Sequence, residues 1–322
     1  MSRRALIWLV LAACGGETTS APPDARSDAA ALDGSVDAST CGLRTGQRGK
    51  TNRAVNAGGL DRTYIVYLPP DADPKTPIPL VFVHHGYTMS GQEMFDITGY
   101  PALADAEHIA LAFPDGQAGP SSFGAPWNVG TDICPAGASE PPSATGDDFA
   151  LLDAIEADIS ADQCIDRDHV FVTGFSMGGY FSHHAGCMRP DIRAIAPHSG
   201  GAHALDDCPS DHKPVIIFHG TADAIVPDSC DDPNVASPPG VTPSATAWAM
   251  KNGCSNTVTK RDVQGGTCAY YDDCPADGQV AICTFTAMGH CWAGGEGASL
   301  YACGTYAKAT TLEWAFFKQY AW

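Results

Sequence analysis

His169-Val-Phe-Val-Thr-Gly-Phe-Ser-Met-Gly-Gly179 is the stretch from which the rest of the chain can be read. Its first part is a near-continuous apolar run, the pattern of a strand covered on both faces. Gly174-Phe-Ser-Met-Gly178 follows, and after it a segment with helical character. A strand that turns this sharply into a helix leaves no room for side chains on either side of the serine, so Gly174 and Gly178 suit the turn. Gly179 lets the helix pack closely against the strand. Ser176 is thereby presented at a helix N-terminus, where unpaired backbone N–H groups and the helix dipole favour developing negative charge. Strand before and helix after separate this G-x-S-x-G from a chance match.

Working outward, short apolar runs alternate with helical patterns. Strands are expected at Arg62–Leu68, Leu80–His84, Ala110–Phe113, His169–Thr173, Ala194–Ala196, Val215–His219 and Val280–Phe285. Helices are expected at Asp148–Ala161, Gly178–Cys187, Pro243–Asn252 and Tyr306–Tyr320. In the first helix Phe149, Leu152, Ile155 and Ile159 fall on one face, and Asp147 or Asp148 is a good N-cap for it. Such alternation predicts an α/β fold: a mostly parallel central sheet with helices on both faces.

An activated serine needs a base, and the base needs a group to orient it. Pro214-Val-Ile-Ile-Phe-His-Gly-Thr-Ala-Asp223 is a strand ending in a loop that carries Asp223. Gly289-His290 follows the strand Val280–Phe285. Both lie beyond the carboxyl ends of strands, where open α/β sheets place their sites, so Ser176, His290 and Asp223 are the candidate nucleophile, base and acid. Leu80-Val-Phe-Val-His-His-Gly-Tyr87 ends another strand, and the N–H groups of Tyr87 and Met177 are the candidate oxyanion donors. His85, Trp127, Asn128 and Trp292 are candidate cleft walls, with core packing as the alternative for each tryptophan. His84 and His219 end strands and suit core positions, His198 falls near the edge of the site, and His203 and His212 fall on loops. His183, His184 and Cys187 have the helical spacing of a metal site, but a bridged Cys187 is the better reading in a cysteine-rich exported chain. Neither a metal nor a cofactor is expected.

The composition limits function further. A formal net charge of −19 over 322 residues excludes a general nucleic-acid binder, which needs a basic face, and disfavours charge-driven attachment to anionic lipid. Thirteen cysteines point to an oxidising compartment. Arg3 and Arg4 precede the apolar run Ala5–Ala13, an export signal too short to span a bilayer. Leu11-Ala12-Ala13-Cys14 resembles the lipobox of bacterial lipoproteins, with lipidation at Cys14, signal peptide 1–13 and delivery to the outer membrane, the cell surface or the medium. Without Cys14 an even number of cysteines remains, enough for six disulfides. Residues 15–40 are mostly Ala, Asp, Ser and Pro and cannot bury enough surface to order themselves. Residues 14–40 are therefore expected to be a tether of about 28 Å reach, followed by one domain over 41–322. A monomer is expected, touching a membrane only through its lipid.

Tyr64–Pro70 (YIVYLPP), Leu80–Gly86 (LVFVHHG), Phe113–Gly116 (FPDG), Trp127-Asn128, Gly174–Gly179 (GFSMGG), Phe218–Pro227 (FHGTADAIVP), Asn252-Gly-Cys254 and Gly289–Gly295 (GHCWAGG) stand in one order over nearly the whole domain. In these stretches the chain resembles the polyhydroxybutyrate depolymerase and feruloyl esterase group, LpqC-like, of carbohydrate esterase family 1. The resemblance implies an α/β-hydrolase fold and a serine esterase with Ser176, Asp223 and His290 as nucleophile, acid and base. The implied substrates are feruloylated or acetylated saccharides or hydroxyalkanoate oligomers. Acetyl-xylan or other polyester esterases of the same fold are the alternative, with a serine peptidase or a non-catalytic binding module further off. Met177 stands where the group often has Asn or Ala, and Ala293 where it usually has Pro. The tannase-type feruloyl esterases bridge cysteines flanking their serine and histidine; here Phe175 precedes Ser176, so that bridge is excluded. Local pairs Cys291–Cys303 and Cys268–Cys274 are expected instead.

Overall fold

The computed structural model describes residues 41, 44, 46–117, 124–130, 146–202, 205–226 and 241–321. Residues 1–40, where the signal peptide, Cys14 and the tether are expected, and His203 lie outside the described residues.

In chain order the strands are β1 (Gly49–Ala57), β2 (Leu60–Leu68), β3 (Ile78–His84), β4 (Ala110–Pro114), β5 (Ile165–Phe175), β6 (Ile192–His198), β7 (Val215–Gly220), β8 (Val258–Val263), β9 (Gly266–Tyr271) and β10 (Val280–Phe285). They form one sheet in the order β1-β2-β4-β3-β5-β6-β7-β10-β9-β8. From β4 to β10 the neighbours are parallel, and an antiparallel pair is added at each edge. A two-strand ribbon of β11 (Trp292–Ala293) and β12 (Ala302–Cys303) lies apart from it. The helices are α1 (Gly91–Ile97), α2 (Tyr100–Glu107), α3 (Asp148–Asp162), α4 (Met177–Met188), α5 (Val241–Lys251) and α6 (Ala309–Phe317), the last continued by a 3₁₀ turn at Lys318–Tyr320.

Every residue of β3, β4 and β7 is buried, as expected for strands with helices on both faces. Leu80 and Phe82 of β3 belong to a core shared with Leu151 of α3, Phe181 of α4 and Trp248 of α5. Val81 and Val83 point the other way, into a core with Met94 of α1, Tyr100 of α2 and Trp314 and Phe317 of α6. This is the expected α/β-hydrolase sandwich. The two candidate caps of α3 divide their work. Asp147 accepts the Ala150 N–H at 2.9 Å and caps the helix, whereas Asp148 is buried, pairs with Arg62 at 2.9 Å and accepts the Asn128 N–H at 2.6 Å.

The strands not expected from the sequence lack a continuous apolar run. β1 alternates exposed and half-buried positions, and β8 is almost wholly exposed. The helix expected from Tyr306 starts only at Ala309. Five disulfides join described cysteines: Cys41–Cys164, Cys187–Cys208, Cys254–Cys274, Cys268–Cys283 and Cys291–Cys303. The expected Cys291–Cys303 pair forms, but Cys268–Cys274 does not. Cys268 lies directly opposite Cys283 across β9 and β10, and Cys274, beyond the end of β9, reaches Cys254 instead.

Behind β5, Glu313 of α6 is fully buried and accepts the Tyr100 hydroxyl at 2.6 Å. Burial pushes its carboxyl up from the ordinary 4.5 to about 8. The folded protein therefore holds a proton there that the unfolded chain releases. The stability this contributes is complete below pH 4.5 and is lost as pH rises towards about 8. Glu313→Gln should remove the dependence. Denaturant unfolding at about pH 5 and about pH 9 should show the variant gaining on the wild type by up to a few kcal/mol at the higher pH.

Candidate active site

The turn between β5 and α4 is built by close backbone approach. A Cβ on Gly174 would lie 2.4 Å from the Gly178 carbonyl oxygen, and one on Gly178 would lie 2.4 Å from the carbonyl oxygen of His84 at the end of β3. Between them Ser176 adopts φ 56°, ψ −117°, a backbone conformation that costs a non-glycine residue about 1–3 kcal/mol. Its N–H donates to the His198 carbonyl at 2.8 Å, and its own carbonyl accepts the Tyr180 N–H at 3.1 Å. Met177 is the first residue of α4, so its amide is one of the N–H groups a helix start leaves without an intrahelical partner. The Gly86-Tyr87 backbone runs beside the serine: a Cβ on Gly86 would lie 3.2 Å from Ser176 Cβ.

Asp223 and His290 come from the loops after β7 and β10, and the two loops are laced together. Thr221 N–H donates to Phe285 O and Ala222 N–H to Met288 O, both at 2.9 Å. Ala287 N–H donates to Thr221 Oγ1 at 2.8 Å. Asp223 Oδ1 accepts the N–H groups of Ile225 and Val226, each at 2.9 Å. Its Oδ2 lies 2.7 Å from His290 Nδ1 and 3.9 Å from His219 Nδ1. Burial alone would raise this carboxyl, but the His290 hydrogen bond and the field of that ring, with the Val226 amide and His219, outweigh it. They hold it below its ordinary 3.8. With Nδ1 engaged by the carboxylate, the proton-accepting position of a neutral His290 is Nε2. The His290 ring packs on Phe175, centroids 4.6 Å apart, which sets it against the turn that carries Ser176. Among the described residues the Ser176 hydroxyl makes no hydrogen bond to the imidazole, a contact that often tightens only with substrate bound.

The expected cleft walls need correction. His85 is fully buried; its Nε2 accepts the Gly116 N–H at 2.8 Å and its Nδ1 lies 2.7 Å from Gly86 O. Trp127 is equally buried, donates to His85 O at 2.8 Å and packs on His84, His85 and Phe181. Trp292 is also fully buried, stacked on His198. All three are core side chains beneath the site, because each ring fills space between elements and its polar atoms find internal partners. Asn128 is half-buried and serves its own loop, donating to Gly146 O and accepting from Gly130 N–H, both at 3.3 Å. Cys187 is bonded to Cys208 and His183 Nδ1 accepts from Trp248 Nε1 at 2.9 Å. Among the described residues no group of three His, Cys, Asp or Glu could hold a metal ion.

A serine on a strained strand-to-helix turn, with an Asp–His pair after two strands further along a mostly parallel sheet, is the arrangement of the α/β-hydrolase fold. The family model described as "Putative esterase" matches residues 56–266, and the chain belongs to this Esterase family. Feruloyl esterase B of Piromyces equi is 28% identical over 273 residues, covering 81% of this chain and 45% of that protein. The chain thus spans about half the length of the curated relatives it matches. Two solved structures share the fold: the acetyl xylan esterase from Aspergillus awamori (TM-score 0.59, 15% identity, covering 84% of this chain and 99% of that one), and an S-formylglutathione hydrolase from Agrobacterium tumefaciens (TM-score 0.54, 14% identity, 86% and 98%).

Because its Cβ would meet a backbone carbonyl rather than a movable side chain, Gly178→Ala should destabilise the fold. The expected loss is at least about 1–3 kcal/mol, read from the urea midpoint.

Proposed function

We propose that this chain is an exported serine esterase in which Ser176 is the nucleophile, His290 the general base and Asp223 the acid that orients it. The Asp223–His290 hydrogen bond, on two laced loops beside the strained Ser176 turn, is the observation that carries the reading. His290 Nε2 takes the Ser176 proton as Oγ attacks the ester carbonyl. The amides of Met177 and Tyr87 are the groups we assign to receive the oxyanion of the tetrahedral intermediate. When that intermediate collapses, the alcohol leaves with the proton from His290, and Ser176 carries the acyl group. His290 then deprotonates a water that attacks the acyl carbonyl, and the acid departs as the proton returns to Ser176. Throughout, Asp223 remains ionised, holds the tautomer and stabilises the imidazolium.

Feruloyl esters of saccharides are the substrate class we favour, supported by the match to Feruloyl esterase B over 81% of the chain. Turnover of feruloyl, acetyl and 3-hydroxybutyrate esters and of a peptide amide should be highest on the feruloyl ester. Preference for acetyl or hydroxybutyrate esters would move the substrate assignment, and cleavage of the amide alone would replace the esterase with a peptidase. Ser176→Ala and His290→Ala should each lower ester turnover by up to about a million-fold, and the double variant should be barely worse, since the residues act as a unit. Asp223→Asn should cost less than Ser176→Ala, because the histidine survives with a disturbed tautomer. Substantial activity in Ser176→Ala would overturn the mechanism.

Cys14 is proposed as the lipid-bearing residue of a surface lipoprotein, monomeric and held by the 14–40 tether. Support comes from the Leu11-Ala12-Ala13-Cys14 pattern and from five disulfides that suit an oxidising compartment. Intact mass of membrane-extracted protein should show residues 1–13 removed and a lipidated Cys14, and Cys14→Ser should move the protein to the soluble fraction. Retention of residues 1–13 would defeat this assignment.

A further inference from the structure

His198 is the last residue of β6 and fully buried, and it touches both halves of the site. Its carbonyl oxygen accepts the Ser176 N–H at 2.8 Å. Its ring Nε2 accepts the N–H of Ala293, three residues after His290, at 3.0 Å. A backbone N–H can only donate, so Nε2 carries no proton. Nδ1 then holds the hydrogen of the neutral ring and donates it to Ser199 Oγ at 3.2 Å. Burial, with the neighbouring His219 and His290, pulls this imidazole down to about 3, which keeps Nε2 an acceptor across the working pH range. The ring is stacked on Trp292 at 4.8 Å and 21° and on Phe218 at 5.7 Å and 17°. Phe175, which carries the His290 ring on its face, meets it edge-on at 5.7 Å. Through its carbonyl this residue therefore holds the serine turn, and through its ring it holds the loop that bears the base.

We propose that His198 is a positioning residue for the ester cleavage: its imidazole holds the 290–293 loop at the separation from Ser176 that proton transfer requires. The inference rests on Ser176 and His290 acting as assigned above. Only the ring contact depends on the side chain, since the carbonyl bond to Ser176 survives any substitution. A base displaced by an ångström can slow chemistry about a hundredfold without changing substrate contacts. Loss of the ring acceptor should therefore appear in kcat and spare KM.

The test uses the full chain with its disulfides intact and counts active sites with a fluorophosphonate, so that a reduced folded fraction cannot mimic the effect. His198→Phe keeps an aromatic ring in the stack and removes the acceptor. Per titrated site its kcat on a soluble ester should fall about tenfold to a hundredfold, with KM within about threefold and slower phosphonylation of Ser176. His198→Gln can place an amide oxygen near the Nε2 position, whereas the shorter His198→Asn cannot. The glutamine variant should recover a clear part of kcat that the asparagine variant does not, and this pair remains informative if the phenylalanine variant fails to fold. Wild-type kcat per site in His198→Phe, or equal losses in the glutamine and asparagine variants, would overturn the inference. Failure of the underlying assignment shows separately, as ester turnover surviving in Ser176→Ala.

Discussion

Where β5 enters α4, the backbone passes so close to itself and to the end of β3 that a single added carbon at Gly174 or Gly178 would lie 2.4 Å from a carbonyl oxygen. Much of the site's geometry follows from that approach. It leaves Ser176 a positive φ, and it requires the β3 strand end to lie directly beside the turn. The same strand order brings the chain after β3, through Gly86 and Tyr87, alongside the serine. It also sets β6 on the other flank, where the His198 carbonyl receives the serine amide. The strain in the turn is small against the burial of β3, β5 and β6 around it, so the surrounding sheet holds it in place.

Asp223 and His290 are organised differently. Neither sits on a strained residue; each is held by a dense set of ordinary hydrogen bonds between two loops. Asp223 receives two backbone amides on one oxygen and the imidazole on the other, which keeps a buried carboxylate ionised where solvent cannot. Glu313, in the last helix, shows the contrast. Among the described residues only the neutral hydroxyls of Tyr100 and Thr173 approach it, which does not offset its burial, and it keeps its proton to about pH 8. Two buried carboxyl groups in one domain thus hold opposite charge states, and the backbone amides and histidine rings around Asp223, which Glu313 lacks, make the difference.

The central strands could be read directly from the chain because burial on both faces forces continuous apolar runs, and the turn at Ser176 because only glycine fits its flanks. The Asp223–His290 pair was legible from the position of both residues after strands, a consequence of parallel topology. β1 and β8 were not, since an edge strand with one open face needs few apolar residues. The cleft walls failed for another reason: an aromatic residue near a site has the same one-letter signature whether it faces the substrate or supports the floor. For Trp127 the indole N–H, satisfied by the His85 carbonyl, marks it as floor. Cys268 was mispaired because its partner is set by strand register across β9 and β10, and proximity along the chain carries no such information. His198 was placed only at the margin, since its hydrogen bond to Ala293 spans 95 residues.

Cys41 and Cys164 are separated by 123 residues, and Cys164 immediately precedes β5. That bridge would take on a mechanical meaning if the domain is held by its N-terminal end, as proposed above. Tension arriving along the chain before residue 41 enters the fold at the root of the strand that leads to Ser176, in the middle of the sheet. The edge strand β1, whose ladder would unzip one bond at a time under a pull from its end, is bypassed. A load there must instead shear β5 against both β3 and β6, a mode in which many backbone hydrogen bonds resist together.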